Sequence, residues 1–446
     1  MAKTVSLGTA AWYGDGEMTL TFPREWEVLV HHPRTPPPLR ASDIVAALEA
    51  PVGQPPLREV ARGCSHPVVI VDDLTRPTPA NLVMPHLVRQ LTDAGIDRRR
   101  VTIVVGTGSH GPLPMATMAR KIGEETAASC RVIGHDYRRD LVRIGRTSIG
   151  TPVIVNREIA RSDLVIGVGG IYPQHSTGFG GGSKLALGVL GKASIVALHY
   201  RHAGMAGSHR TNNSFRRDLD EIAMMVGMRT AVSIHVDERR RPVRIVSGDH
   251  VRYYADAVAF SLDAFAAPPP GEADMVISNT YPMDVSLTFA RSKGIIPLLN
   301  SRPTATKVMV AGCPEGVGHH GLFPFMDAPR FQRQRALFRT AVWRPREVPR
   351  KVARKIQATL PYVSGRLGMA IGGPAPDRLP PIWLVGATGP LPIRIPGMQA
   401  LGSWDRVLAR ALEEQGEGRP LSVAVYVCAP LQTIDLPEQT VHVSGD

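Results

Sequence analysis

Residues 67–79 read PVVIVDDLTRPTP, and residues 98–112 read RRRVTIVVGTGSHGP. Each stretch is an apolar run that ends in a polar loop, and the amphipathic segment 81–94 between them is typical of a helix. The same order returns at residues 130–136, CRVIGHD, and at residues 161–184, which end in a long glycine-rich loop. This alternation predicts an α/β fold with a mainly parallel sheet, whose binding site lies in the loops at the carboxyl ends of the strands.

A second series of strand-like runs begins near residue 273. Its members are ADMVISNTYPMD (273–284), ATKVMVAGCPEGVGHHG (305–321), PPIWLVGATGP (380–390) and LSVAVYVCAP (421–430). Three consecutive prolines at 268–270 cannot continue a regular element and mark a boundary.

We therefore predict two α/β lobes with mainly parallel sheets and an interdomain active-site cleft. The first lobe, residues 1–268, is expected to carry most cofactor and catalytic residues, and residues 269–400 form the second lobe with substrate-side contacts. We expect the tail, from about residue 400 to 446, to return to the first lobe. Near the amino terminus, residues 18–23 and 26–30 fit a short hairpin.

Composition fits a globular chain of two or three domains: 446 residues, 43% of them hydrophobic and 20% charged. Aromatic residues make up 5%, which argues against a stacking surface for single-stranded nucleic acid. The net charge is +13, and residues 330–355 alone hold ten basic residues and one acidic residue. This stretch is either an anion-binding surface or a solvated arginine-rich helix. The rest of the chain is near neutral, so neither nucleic acid nor a membrane is expected as a partner.

The four cysteines, at positions 64, 130, 313 and 428, lie far apart and have no zinc-ligand spacing. The first residues lack the apolar core of a signal peptide, and no apolar run approaches the length of a membrane span. We expect a cytoplasmic protein.

Two glycine-rich loops suggest phosphate binding. Gly106-x-Gly108-x-x-Gly111 matches a dinucleotide fingerprint, but Pro112 and Pro114 follow where a helix should begin. In GFGGGSKL (178–185), the glycines Gly180, Gly181 and Gly182 allow backbone N–H groups to approach an anion, although the loop fails as a Walker A motif. Lys184, at its end, is either a charge for that anion or a nucleophile.

Polar loops also carry the candidate acid–base groups. His110, His175 and His199 lie in or beside these loops, and imidazole serves both acid–base catalysis near neutral pH and nickel, zinc or iron ligation. Asp73, Thr75 and Arg76 follow a strand, and Arg76 can hold a carboxylate or phosphate with two hydrogen bonds. An Asx-turn with a surface ion pair is the alternative for this loop.

Together these loops resemble the nickel-dependent lactate racemase family over most of the chain, from about residue 67 to 318. The resemblance rests on the order and spacing of DDLTRPTP, GTGSH, GHD, TGFGGGSK, the Leu-His pair 198–199, YPMD and CPEGVGH. It implies an isomerase, a 2-hydroxyacid racemase or epimerase that abstracts a hydride from Cα and returns it to the opposite face.

The resemblance also implies site roles. The cofactor would be nickel in a pyridinium-3,5-bisthiocarboxylic acid mononucleotide, tethered to Lys184 and lined by Asp73, Thr75 and Arg76. His199 would ligate nickel and His110 would be one of two acid–base histidines. Arg76, Lys293 and Gln174 are the expected substrate contacts. The implied partners are a small 2-hydroxy acid and the cofactor-synthesis enzymes, and the oligomeric state is left open.

Three departures from the family pattern affect the identity of the second acid–base residue and the expected substrate. Gln174 fills the usual histidine position, so His175, one residue later, is predicted as the second base, because an amide does not titrate near pH 7. Gly111 replaces a basic residue, and Phe289 lies where the lactate contacts are expected. We therefore expect a 2-hydroxy acid bulkier than lactate. The alternatives are an NAD-dependent oxidoreductase using residues 106–111, and a non-enzymatic nucleotide- or anion-binding protein.

Overall fold

The computed structural model describes residues 3–174, 176–202, 209–321, 381–393, 395, 397–415 and 419–434. Its strands are β1 (Lys3–Thr9), β2 (Gly16–Phe22), β3 (Glu27–His31), β4 (Pro67–Asp72), β5 (Thr102–Gly106), β6 (Arg131–Gly134), β7 (Leu141–Arg146), β8 (Pro152–Asn156), β9 (Leu164–Gly170), β10 (Pro173–Gln174), β11 (Gly178–Phe179), β12 (Met228–Val236), β13 (Pro242–Gly248), β14 (Ala266–Ala267), β15 (Met275–Asn279), β16 (Thr306–Val310), β17 (Ile382–Val385), β18 (Met398–Ala400), β19 (Ser422–Tyr426) and β20 (Thr433–Ile434).

The α-helices are α1 (Ala41–Glu49), α2 (Leu57–Val60), α3 (Met84–Asp93), α4 (Met115–Ile122), α5 (Glu124–Ser129), α6 (Arg157–Arg161), α7 (Lys192–Arg201), α8 (Ser214–Met225), α9 (Tyr254–Ala264), α10 (Leu287–Gly294), α11 (Ile296–Leu299) and α12 (Trp404–Gln415). Short 3-10 segments span Ala80–Leu82, Arg98–Arg100 and Gly182–Val189.

The first six-stranded sheet has the order β13-β12-β9-β4-β5-β6, and its strands are parallel except for β13. Strands β4 and β9 are buried along their whole length, as expected for strands covered on both faces. Because β9, β4 and β5 are neighbouring parallel strands, their carboxyl ends meet at one edge of the sheet. The loops that begin at Asp72, Gly106 and Gly170 therefore lie side by side.

The second six-stranded sheet has the order β18-β17-β16-β15-β19-β3, with all neighbours parallel. One buried apolar cluster contains Val69 and Ile166 of the first sheet together with Ile277 and Val308 of the second. The α/β architecture with mainly parallel sheets is confirmed.

The sheets bear on two sequence predictions. In the tail, β19 lies between β15 and β3 in the second sheet, whereas β20 pairs with β14, within residues 1–268. Residues 18–23 and 26–30 do not form a hairpin: β2 pairs with β1, and β3 joins the second sheet. The physical reason is that β1 already offers β2 an antiparallel partner with an alternating buried face, Val5 and Leu7, which leaves β3 available for β19. Within the described residues, no helix combines the length and apolar character needed to cross a membrane.

Candidate functional site

The loop after β4 places one carboxylate between two partners. Asp73 Oδ1 accepts hydrogen bonds from the Thr75 backbone N–H at 3.0 Å and from the Thr75 hydroxyl at 2.5 Å. These contacts close an Asx-turn, a conformation that Asp favours because its side chain mimics a backbone turn. Asp73 Oδ2 thereby faces the loop after β5, where it lies 2.5 Å from His110 Nδ1.

The Asp73–His110 pair holds a carboxylate against an imidazole. Burial alone would raise the pKa of Asp73, but the charge and hydrogen bond of His110 hold it below its usual value. An ionised Asp73 accepts the Nδ1–H of His110, so in this tautomer Nε2 carries the lone pair. His110 is half-buried, and an imidazole held in this way can act as a general base.

The neighbouring Asp72 has a structural role. Its Oδ1 lies 2.6 Å from Nζ of the fully buried Lys121, and its Oδ2 accepts from the Thr78 hydroxyl and the Gly170 N–H. Lys121 also donates to the carbonyls of Asp73 and Arg76, at 3.1 and 3.2 Å. This buried network, which joins α4 to the loop after β4, was not predicted from the sequence.

Arg76 carries a guanidinium into the same cavity. Its Cζ lies 5.5 Å from the ring centroid of Tyr172 and 5.8 Å from that of Phe289. Its Nη1 is buried and has no hydrogen-bond partner among the described residues. Because an unpaired buried donor is costly, this nitrogen is suited to an anionic group that the cavity receives.

Packing explains the glycines of residues 178–182. A Cβ at Gly180 would lie 2.8 Å from the Tyr172 ring, and one at Gly181 would lie 2.7 Å from the Ile171 side chain. Gly181 and Gly182 also adopt φ of +69° and +55°. The loop carbonyls are held by Arg216, which donates to Gly181 at 3.0 Å. The Gly180 N–H donates to the Tyr172 carbonyl, so that N–H is used within the protein.

Lys184 lines the cavity, and its amine is less basic than that of an ordinary lysine. Burial, followed by the positive charges of Arg76 and Arg216, lowers its pKa from 10.5 to about 7. A substantial fraction of this amine is therefore neutral, and nucleophilic, at neutral pH.

His199 lies on α7 with its ring fixed by a backbone contact. Its Nδ1 is 2.8 Å from the Ile195 carbonyl, and its ring meets Phe215 edge-on at 5.2 Å. An Nδ1–H donated to a carbonyl leaves the lone pair on Nε2, which is the usual second-shell arrangement of a metal-binding histidine. The described residues contain no group of three or more His, Cys, Asp or Glu side chains that could hold a metal, so other ligands would have to come from a bound group.

The substrate-side predictions fall on β10 and α10. Burial, followed by the charges of Arg76 and Lys184, lowers the pKa of Lys293 well below 10.5. Gln174 Oε1 accepts from the N–H groups of Ser176 and Thr177, at 3.0 and 2.8 Å, so this amide organises its own loop.

A cavity of about 500 Å³ collects most of these side chains. Among the predicted site residues, its lining includes Asp73, Arg76, His110, Gln174, Gly181, Lys184, His199 and Lys293. Thr75, Gly180 and Gly182 support the neighbouring loops but do not line it. His175 and the basic stretch 330–355 lie outside the described residues.

Phe289 and His320 complete the wall beside His110. The His110 ring centroid is 4.5 Å from that of Phe289 and 5.3 Å from that of His320. The sequence offered His319 and His320 only as alternatives for the second base, since the HH pair at 319–320 gives no sign of which ring turns inward. His319 is exposed, whereas His320 lines the cavity.

Other candidates have structural explanations. His135 is buried, with Nε2 2.9 Å from the Leu190 carbonyl, and burial lowers its pKa to about 4. Gly106 approaches Gly188 so closely that a Cβ would lie 3.2 Å from its Cα. Helix α4 begins only at Met115, four residues beyond Gly111, which does not fit a dinucleotide fingerprint that opens a helix.

Comparison with known proteins adds a family context. A sequence-family profile described as the lactate racemase N-terminal domain matches residues 13–213. The lactate racemase of Lactiplantibacillus plantarum is 28% identical over 286 residues, which cover 62% of this chain and 67% of that protein. The lactate racemase of Thermoanaerobacterium thermosaccharolyticum is 27% identical over 296 residues, 63% of this chain and 68% of that protein.

Two solved structures are similar in fold. The lactate racemase apoprotein from Thermoanaerobacterium thermosaccharolyticum aligns with a TM-score of 0.69 and 19% identity, over 97% of this chain and 100% of that chain. A protein from Thermotoga maritima aligns with a TM-score of 0.58 and 15% identity, over 90% of this chain and 100% of that chain. At these identities the structural likeness supports the fold alone.

Proposed function

We propose that this chain, which is similar to lactate racemases, is an isomerase that racemises or epimerises a 2-hydroxy acid at Cα. The observation that carries the proposal is the placement of the Asp73–His110 pair, Lys184 and His199 around one cavity. The reaction balances without a second substrate: the acid loses a hydride from Cα and a proton from its hydroxyl group, and regains both.

The residues of the cavity fit the cofactor implied by the sequence. Lys184 offers a partly neutral amine for a covalent tether, and His199 offers an imidazole whose Nδ1 is already engaged, a good Ni²⁺ ligand. The remaining nickel ligands would come from the sulfur-bearing mononucleotide, in line with the lack of a protein cluster among the described residues. When bound, this nickel-pincer nucleotide supplies the acceptor and donor for the hydride.

The protein's own groups hold the substrate and move its proton. The Arg76 guanidinium binds the substrate carboxylate through Nη1 inside the cavity, and the Lys293 amine donates a hydrogen bond to the same carboxylate. His110 Nε2 takes the hydroxyl proton as the hydride leaves Cα, and the ionised Asp73 stabilises the imidazolium that forms. Return of the hydride to the opposite face of Cα, together with return of a proton to the carbonyl oxygen, completes racemisation. His175 is the second base predicted from the sequence, with His319 or His320 as the alternative, and this role stays a prediction.

We further propose a substrate bulkier than lactate. The Phe289 ring forms an apolar wall beside His110, and Gly111 leaves that end of the loop without a side chain. A 2-hydroxy acid with a larger apolar substituent would pack against this wall. Maturation would require the cofactor-synthesis enzymes as partners.

The test is co-expression with cofactor-synthesis enzymes, followed by intact mass spectrometry, nickel analysis and chiral chromatography of a panel of 2-hydroxy and sugar acids. We expect an adduct on the peptide containing Lys184 that is lost in Lys184→Ala. His199→Ala should keep the adduct and lose nickel. An adduct that persists in Lys184→Ala would contradict the tether, and lactate turning over fastest would contradict the larger substrate.

A further inference from the structure

The imidazole of His320 is held against the catalytic loop after β5. Its Nδ1 lies 3.4 Å from the Ser109 hydroxyl, and its ring centroid lies 5.3 Å from that of His110 and 6.0 Å from that of Phe289. His320 lines the same cavity as His110, Lys184 and His199. A second imidazole therefore stands beside the first one at the place where the substrate is expected.

The segment that carries His320 is anchored on both sides. After β16 the chain runs to Val317, whose carbonyl accepts from the Thr288 N–H at 3.0 Å and from its hydroxyl at 2.7 Å. Just beyond His320, the Gly321 N–H donates to the Ser109 carbonyl at 2.8 Å. The ring is thus fixed relative to α10 and to the loop of His110, which is the precision that an acid–base group requires.

Proton transfer in a racemase needs more than one acceptor position. The two enantiomers of a 2-hydroxy acid that share one carboxylate site and one hydride site place their hydroxyl oxygens at different points. His110 is fixed by Asp73 and reaches one of them. A hydroxyl oxygen makes hydrogen bonds of about 2.8 Å, so an oxygen displaced from His110 toward His320, whose ring centroid is 5.3 Å away, comes within reach of the His320 imidazole. Burial, followed by the charge of His110, lowers the pKa of His320, so its ring is neutral at neutral pH.

We propose that His320 is a further acid–base residue of this site, which takes and returns the hydroxyl proton of the enantiomer that His110 does not reach. The inference rests on the proposed function. As the Cα–H bond breaks and the hydride departs, the O–H bond breaks and an N–H bond to His320 forms, which leaves a 2-keto acid. In this direction His110 starts as the imidazolium, paired with Asp73, and gives its Nε2 proton to the carbonyl oxygen as the hydride returns to the other face of Cα. Exchange with water then restores both imidazoles.

The test compares two substitutions in adjacent residues of the loaded enzyme. His320→Gln should lower kcat by about 10²–10⁴-fold, the usual effect of losing a general base. His319→Gln, in an exposed side chain outside the cavity, should stay within about threefold of wild type, well short of that range. A His320→Gln enzyme that also stays within threefold would overturn the inference. A wild-type protein that racemises no acid in the panel would instead defeat the proposed function, and the inference with it.

A chemical rescue separates proton transfer from structural support. His320→Gly opens space for a free imidazole, so added imidazole should restore a measurable part of kcat. The same addition should do nothing for His319→Gly. If His320→Gln does not fold, Ser109→Ala provides the second arm, because it keeps the imidazole but removes the hydroxyl beside Nδ1. It should lower kcat more than it changes KM, and unchanged kcat together with no imidazole rescue would overturn the proposal.

Discussion

The carboxylate of Asp73 has two oxygens with separate tasks. Oδ1 is occupied by Thr75 and shapes the loop, whereas Oδ2 orients His110. A carboxylate accepts on both sides without donating, which an amide of the same shape cannot do. The identity of this residue therefore controls the tautomer of the neighbouring imidazole.

Asp73→Asn should lower kcat on the order of 10³–10⁴-fold, because the amide favours the wrong tautomer of the adjacent histidine and no longer stabilises its imidazolium. Asp97→Asn is the matched control, since Asp97 Oδ1 also accepts from the N–H two residues on, at 2.8 Å, but its side chain is exposed. Chiral chromatography gives kcat for both. Equal activity of the two variants would show that Asp73 serves only the turn.

Lys184 in the cofactor-free protein should react with acylating reagents in a pH range unusual for lysine. Only the neutral amine is nucleophilic, and a folded pKa of about 7 predicts that labelling rises as the pH increases through 7. An ordinary lysine has a pKa of about 10.4, so most of its reactivity appears well above pH 7. Pulse acetylation with peptide mass spectrometry measures this, with the exposed Lys192 as the internal comparison. Parallel labelling curves for the two lysines would rule the lowered pKa out.

For single residues, the sequence predicted contacts between residues that are close together in the chain. The motif DDLTRP identified the Asp73–Thr75 turn, since the partners are two residues apart. Lys121 and Arg216 could not be predicted in the same way, because their partners lie 48 and 35 residues away and depend on how the sheet is assembled. His320 is 211 residues from Ser109, which it contacts.

Among the elements, the glycine-rich connection from β11 into the 3-10 segment Gly182–Val189 shows why a motif that fails as a Walker loop is still glycine-rich. Glycines are needed there because the loop packs closely against Tyr172 and Ile171 and because Gly181 and Gly182 adopt positive φ. The sequence predicted that these glycines bind an anion. Glycine allows close approach of either a ligand or a side chain, and only the assembled fold distinguishes the two.

Gly181→Ala should reduce the free energy of unfolding by about 2–4 kcal/mol, combining left-handed backbone strain with overpacking against Ile171. Gly63→Ala isolates the first contribution, since Gly63 has φ of +79° and an added Cβ there would meet nothing within 4 Å. Gly63→Ala should lower the free energy of unfolding by about 1–2 kcal/mol. Urea unfolding of both variants gives the difference, and equal losses would mean that the Ile171 contact relaxes freely.

The sequence located strands in both sheets, but it gave the wrong pairing for two strands whose burial is partial. Strands β4, β9 and β15 are buried throughout, so their apolar runs are unmistakable in the sequence. Strands β1 and β3 bury only some of their residues, and their pairing depends on partners far along the chain: β3 pairs with β19, almost 400 residues later. Sequence pattern describes the faces of a strand but not its neighbour.

In the whole molecule, the amino-terminal segment joins the two sheets near the cavity. Asp284, at the end of the loop after β15, accepts from the N–H groups of Ala10, Ala11 and Gly312 at 2.8, 3.0 and 2.8 Å. The adjacent Trp12 donates from its indole to the Arg76 carbonyl at 3.2 Å. A chain of contacts thus runs from the second sheet through the amino-terminal loop to the residue expected to bind the substrate carboxylate.

Asp284→Ala should therefore weaken both stability and substrate binding. It removes a fully buried carboxylate and leaves three N–H groups without their acceptor, which should lower the free energy of unfolding by about 3 kcal/mol or more. Release of the amino-terminal loop should also raise KM, because Trp12 no longer steadies the Arg76 backbone. Asp263→Ala, at a side chain 88% exposed, is the control and should change stability by no more than about 0.5 kcal/mol. Urea unfolding and steady-state kinetics on the same preparations test the two effects together. A destabilised Asp284→Ala enzyme with unchanged KM would confine the role of Asp284 to holding the fold and would break the link from the second sheet to Arg76.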